Sequence, residues 1–180
     1  MKNSNIRFLL LLTVFSFSGL SLLAQKKKVV KKTIPAKTVA AENSLIKNGI
    51  KISSKGFTVG EAYLVLDDET LVPANNRVDI NQNVNMVLII DKGWTESEGM
   101  VFPGSKQVVK LSNGTVILNS DDLFAAFDET GVSPEDARYI TLNAVVTEMK
   151  NKANHVIVNF SLWDKKGAAT LSGSYKLYIK

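Results

Sequence analysis

Cysteine is missing from this 180-residue chain altogether, and histidine occurs once. The first absence removes disulfides, thiol nucleophiles and thiolate metal ligands together. With His155 as the only imidazole, a structural zinc site of the ordinary cysteine–histidine kind is excluded as well. No G-x-S-x-G turn is present to present a serine to that histidine, so serine-hydrolase chemistry has no basis in the sequence. His155 opens a predicted strand and is read as a structural or surface histidine. A phosphate loop and a dinucleotide fingerprint are also lacking: Gly49, Gly56 and Gly60 are turn and strand glycines, not a G-x-G-x-x-G series. No cofactor is implied.

Acidic motifs are nearly as sparse. Asp79, Asn81 and Asn83 match the opening of an EF-hand calcium loop, but Val84 stands where glycine makes the sharp turn and Ile90 where a bidentate glutamate belongs. A looser calcium site from Asp67, Asp68, Glu69 or Asp79 is weighed against the plainer reading that acids gather in loops because loops face water. Asp91, Glu96, Glu98 and the 67–69 cluster are carboxylates by composition only, and no spacing selects a pair for glycoside hydrolysis. Asn113 and Asn159 fall in glycosylation-acceptor patterns, and Asn113 is better explained by a turn.

What is present begins with one apolar run, residues 8–24, behind Lys2 and Arg7. It has the build of a secretory signal with cleavage after Ala24; a retained single membrane anchor is the competing reading. Residues 25–43 have no structural period and are read as a basic, disordered linker. The six lysines between 26 and 37 give that linker a possible contact with an anionic surface, while solubility and spacing are the plainer reading.

The net charge of +5 conceals this split. Without Lys2, Arg7 and the six tail lysines, 14 basic residues face 17 acidic ones, or −3. A nucleic-acid-binding domain is expected to carry its basic surface on the fold, so nucleic acid is not an expected partner.

From residue 44 to 180 the pattern is that of one all-β domain, a β-sandwich of seven to nine strands, immunoglobulin-like or related. The clearest signal is a hairpin over 155–180. A four-residue loop at 164–167 sets Leu162 against Ala169, Phe160 against Leu171 and Val158 against Gly173. Val156, Val158, Phe160, Leu162, Leu171, Tyr175 and Leu177 then share a buried face. Ser172, Ser174, Lys176 and Tyr178 take the other face, with Trp163. Gly173 leaves a gap that marks a bulge or a close approach.

Upstream, 45–52 and 57–66 read as strands, with a turn or bulge at Asn48-Gly49. Residues 83–90 read as a central strand buried on both faces, and Pro103-Gly104 as a turn. A two-residue Asn113-Gly114 turn sets Leu111 against Val116 and Val109 against Leu118. One or two short helices are expected near 121–138, started by Ser120 and Ser133. Residues 139–149 return to strand, and 150–154 turn into the final hairpin.

These readings favour an exported, non-catalytic binding or interaction module of the bacterial cell envelope, in the periplasm, on the outer surface or outside the cell. Its expected partner is an envelope protein or carbohydrate. The alternatives are an envelope structural or assembly component using the lysine tail, and a small carboxylate-dependent hydrolase. The candidate contact residues are Trp94 with Lys92 in the 91–99 loop, and Asp67, Asp68 and Glu69. For Trp94, packing over a sheet edge competes with contact. A row of exposed aromatics on one sheet would favour sugar; a bare apolar edge strand would favour pairing with another chain.

Overall fold

The computed structural model describes residues 45–147 and 154–180; the expected signal (1–24), basic linker (25–43) and turn at 150–154, save Asn154, lie outside them. Nine strands follow in order: β1 (Lys51–Lys55), β2 (Thr58–Val65), β3 (Arg77–Val78), β4 (Asn83–Lys92), β5 (Pro103–Leu111), β6 (Val116–Asn119), β7 (Tyr139–Val145), β8 (His155–Asp164) and β9 (Thr170–Ile179). Among the described residues helical structure is limited to two 3-10 turns, Ala125–Phe127 and Asp136–Arg138, within the stretch expected to hold short helices. The strands form a six-stranded sheet, β1-β9-β8-β5-β6 with β3 added to β9, and a three-stranded sheet, β2-β4-β7. All neighbours are antiparallel except β3 and β9. The result is a β-sandwich; its six-and-three division is not the four-and-three of an immunoglobulin constant domain.

Alternation builds the core. Val156, Val158, Phe160 and Leu162 on β8 and Leu171, Tyr175 and Leu177 on β9 are buried, as their parity predicts. They face Ala62 and Leu64 of β2, Val84, Met86, Leu88 and Ile90 of β4, and Ile140, Leu142 and Ala144 of β7. Each fully buried leucine or phenylalanine contributes about 1.5–3 kcal/mol, so this two-sided apolar layer needs no cross-link.

Several local expectations are corrected. The final hairpin turns through six residues, and its register is displaced by two: Leu162 pairs with Leu171, Phe160 with Gly173 and Val158 with Tyr175. The cause is Asp164, whose buried carboxylate accepts from the Lys166 N–H (2.9 Å) and from the Thr95 N–H (2.8 Å), widening the loop. A shift of two preserves every face. Gly173 marks a close approach: a Cβ there would lie 2.3 Å from the Phe160 ring and 2.4 Å from the Lys51 carbonyl.

Strand β4 is central in its sheet but buried on one face only, with Asn85, Val87 and Ile89 half-buried outside, because nothing packs over the three-stranded sheet's outer surface among the described residues. Residues 45–50 are a turn rather than strand, with Asn48 and Gly49 both left-handed (φ 55° and 59°). Pro103-Gly104 opens β5 instead of turning; proline fits the first residue of a strand, and Gly104 lies under the Trp163 indole. The β5–β6 turn centres on Ser112-Asn113, with a Leu111–Gly114 hydrogen bond of 2.9 Å and Gly114 at φ 91°. Val109 still pairs with Leu118, but Lys110 rather than Leu111 meets Val116, as a type I turn with a glycine bulge requires. Ser133 caps as expected, accepting from the Asp136 N–H at 3.0 Å, whereas Asp122 rather than Ser120 accepts from the Phe124 N–H, at 2.9 Å.

Candidate functional site

Pairing across the six-stranded sheet sorts its outer side chains into rows. Trp163 lies between Gly104 and Thr170, and Ser161 between Lys106 and Ser172. Asn159 lies between Val108 and Ser174, and Ile157 between Lys110 and Lys176; His155 pairs with Tyr178. β1 adds Lys51 beside Ser174, Ser53 beside Ser172 and Lys55 beside Thr170, and β3 adds Arg77 beside Tyr178. The Trp163 indole lies against the backbone of Gly104, where a Cβ would come within 2.2 Å of the ring. Any larger residue at 104 would lift it. At the opposite end the His155 and Tyr178 rings are 5.3 Å apart, centre to centre. His155 and Trp163 are eight positions apart on β8, roughly 27 Å at about 3.4 Å per residue.

Between them the face carries shallow depressions. A depression of about 630 Å3 is lined by Asn48, Lys51, Asn76, Arg77, Lys176 and Tyr178, among others. It shares Lys51 and Ser174 with one of about 360 Å3 around Asn159 and Gly173, which in turn shares Ser53 and Ser172 with one of about 290 Å3 beside Trp163 and Lys55. A reciprocal asparagine pair holds the first wall. Asn48 Nδ2 donates to Asn76 Oδ1 (2.9 Å), and Asn76 Nδ2 donates to the Asn48 and Lys176 carbonyls (2.8 Å each). Both residues are left-handed, at φ 55° and 54°, a conformation asparagine tolerates better than most.

The sequence candidates lie elsewhere, in two groups the fold keeps apart. Thr58 pairs with Lys92 at one end of the β2–β4 ladder and Val65 with Asn85 at the other, so the acids at 67–69 lie roughly 24 Å from Lys92 at about 3.4 Å per residue. Trp94 packs rather than projects: it meets Phe57 edge-on at 4.7 Å and donates its Nε1–H to the Ala137 carbonyl at 3.0 Å. Lys92 is exposed. Asp67 accepts from the Asn83 and Asn85 side-chain amides (2.8 and 3.2 Å). The Thr70 hydroxyl and amide hold the Asp68 carboxyl below its usual range. Glu69 takes a left-handed turn at φ 64°. Asp67, Glu69, Glu61 and Tyr63 line a separate depression of about 630 Å3 on the three-stranded sheet. Among the described residues no group of His, Asp or Glu is arranged to hold a metal ion.

A third feature lies between the sheets. β6 ends the six-stranded sheet and β7 the three-stranded one. They flank a groove of about 580 Å3 lined mainly by apolar residues, among them Val109, Leu111, Ile117, Leu118, Val145 and Val158, together with Thr115, Asn143 and Thr147. Val116, Ile117 and Leu118 are each about half exposed (50%, 48% and 46%).

Asn48 was read only as part of a turn, and Arg77 and Asn76 escaped sequence reasoning because β3 is two residues long and joins β9 across a hundred residues of chain. The signal for the outer face was the shared parity of Trp163 and Tyr178. In comparison with known proteins, no family model matches the chain and no curated protein matches it. Among solved structures, the C-terminal domain of wzt is similar with a TM-score of 0.45 and 9% identity, over 73% of this chain and 78% of that one. With so loose a superposition, no residue role passes from that protein to this one.

Proposed function

We propose that this protein is an exported, non-catalytic binding module of the cell envelope that holds carbohydrate on the outer face of its six-stranded sheet. The observation that carries the reading is Trp163, laid along Gly104 beside a row of shallow depressions that reaches Tyr178 on the same face. An aromatic ring backed by backbone offers a rigid apolar surface to the C–H face of a sugar. The hydroxyls of that sugar would meet Asn159, Ser161, Ser172 and Ser174, which have both donors and acceptors. Export is read from the apolar run at 8–24.

Trp163→Ala is expected to abolish retention of the full chain in native gels containing envelope polysaccharide, with the unfolding midpoint showing that the domain remains folded. Unchanged retention of a folded variant would remove the reading.

A second reading has its own observation. The uncharged, half-exposed β6 edge and the apolar groove beside it suit an assembly component that pairs with an extended strand of another chain.

A further inference from the structure

The proposed carbohydrate face is also where the fold collects unpaired positive charge. Lys51, Lys55, Lys106, Lys110 and Lys176 occupy outward rows of the six-stranded sheet, and Arg77 joins them on β3. Among the described residues no aspartate or glutamate lines any of these three depressions. The ion pairs of the described residues use Arg138, Lys165 and Lys180 instead. Glu61, Asp67 and Glu69 line the depression on the other sheet. Contrary to the expectation that basic charge lies off the fold, a segment from residue 38 onward with a formal charge of −3 presents one face of six cations, none ion-paired with a carboxylate among the described residues.

Uncompensated like charges on one face repel, at a modest cost to the fold, and that arrangement suits an anionic ligand whose arrival relieves it. The rows fix the spacing. Lys106 and Lys110 lie four residues apart on β5, roughly 14 Å, and Lys110 and Lys176 lie two strands apart across Ile157, roughly 10 Å. This is a two-dimensional array for a polymer with repeated negative groups rather than a pocket for one ion. Its apolar members, Ile157 and Val108, are half-buried in the strands, so no apolar wedge projects for insertion into a bilayer.

We infer that the ligand is an anionic polysaccharide, bearing carboxylate or phosphate groups, held by this cation array with Trp163 stacking on its sugar rings. The inference rests on the carbohydrate reading above.

Titration of the full chain by calorimetry separates the two. The probes are polygalacturonate for carboxylate, phosphorylated dextran for phosphate, neutral dextran as the uncharged comparison and oligothymidylate as a nucleic acid. The variants are Lys110→Glu with Lys176→Glu on the face, and Lys47→Glu with Lys92→Glu away from it. The second pair makes the same change in net charge and leaves the lysines at 26–37 in place. At low salt, one of the anionic glycans is expected to bind about ten-fold or more tighter than neutral dextran, with the face pair losing about ten-fold and the control pair less than about two-fold.

Equal losses in the two pairs, or none in the face pair, would overturn the inference. Tight binding of oligothymidylate in preference to both anionic glycans, lost in the face pair, would overturn it in favour of nucleic acid. Neutral dextran bound through Trp163 with no preference for charged glycans would sink the charge inference and leave the carbohydrate reading standing. If no glycan binds, or if Trp163→Ala changes nothing, both fall.

Discussion

The core contains two polar atoms with no partner among the described residues, the Tyr175 hydroxyl and Gln107 Nε2. Both sit on inward positions, Tyr175 paired with Val158 and Gln107 with Phe160. A buried hydroxyl without a hydrogen bond costs its desolvation and returns nothing. Tyr175→Phe keeps the ring, and its 6.3 Å contact with Phe160, while deleting the stranded oxygen. It is expected to raise unfolding free energy by about 1 kcal/mol in urea titrations at neutral pH; a drop of that size would mean the hydroxyl is satisfied after all. The inward placement of Tyr175 was readable from parity, as was the outward placement of Trp163 and Tyr178. Trp94 was harder, because a tryptophan in a polar loop looks the same in sequence whether it projects or packs. Its partners Phe57 and Ala137 come from residues 37 and 43 positions away, which no local pattern reports.

The four sheet edges are managed differently. β1 carries Lys51 and Lys55, charges that discourage pairing with another chain. Residues 45–47 cover part of β2, through hydrogen bonds of 3.1 and 2.8 Å between Ala62 and the carbonyl of Leu45 and the N–H of Lys47. β6 and β7 carry no charged side chain, and they border the same apolar groove. If β6 is a pairing edge, Ile117→Lys will abolish association while changing unfolding free energy by less than about 0.5 kcal/mol, as expected for a surface position. Light scattering together with denaturant titration reads both quantities; persistence of the assembly in the variant would show that pairing occurs elsewhere. Sequence made most of the strands legible, though not the two-residue β3 or the bounds of β1, and did not show their sheets. Lys51 and Lys55 share parity on one strand, Lys106 and Lys110 on another, yet which strands lie side by side depends on contacts far apart in the chain. The hairpin register was missed by two because Asp164 is recruited into its loop by Thr95, from a different segment. The faces survived the miss since two is the period of a strand.

Two named groups are expected to shape the pH dependence of the fold's stability, one towards acid and one towards alkali. Asp122 ties three segments together: it accepts from the Ser105 N–H of β5 and the Phe124 N–H ahead of the first 3-10 turn (2.9 Å each), and pairs with Lys165 of the β8–β9 loop at 2.6 Å. Partial burial pushes its carboxyl up, but the Lys165 ammonium and the two N–H donors outweigh that and hold it below its ordinary value of 3.8. A depressed folded-state pKa means the unfolded chain takes up the proton first as acid is added. The stabilisation is therefore whole above about pH 4 and is lost as pH falls through the folded value. Tyr175 works in the opposite direction. Burial pushes its phenol well above the ordinary 10.0, so the unfolded chain releases the proton first, and stability falls as pH rises past about 10. The slope contributed by either group is at most about 1.4 kcal/mol per pH unit. Urea midpoints measured from pH 2 to 11 should therefore form a plateau with two shoulders. Tyr175→Phe is expected to soften the alkaline shoulder and leave the acid one intact. Asp122→Asn is expected to lower the plateau, since the charge-assisted bonds are lost, and to flatten the acid shoulder. If Asp122→Asn left the acid limb as steep as before, the carboxylates that set acid stability would have to lie outside the cluster joining β5 to the hairpin loop.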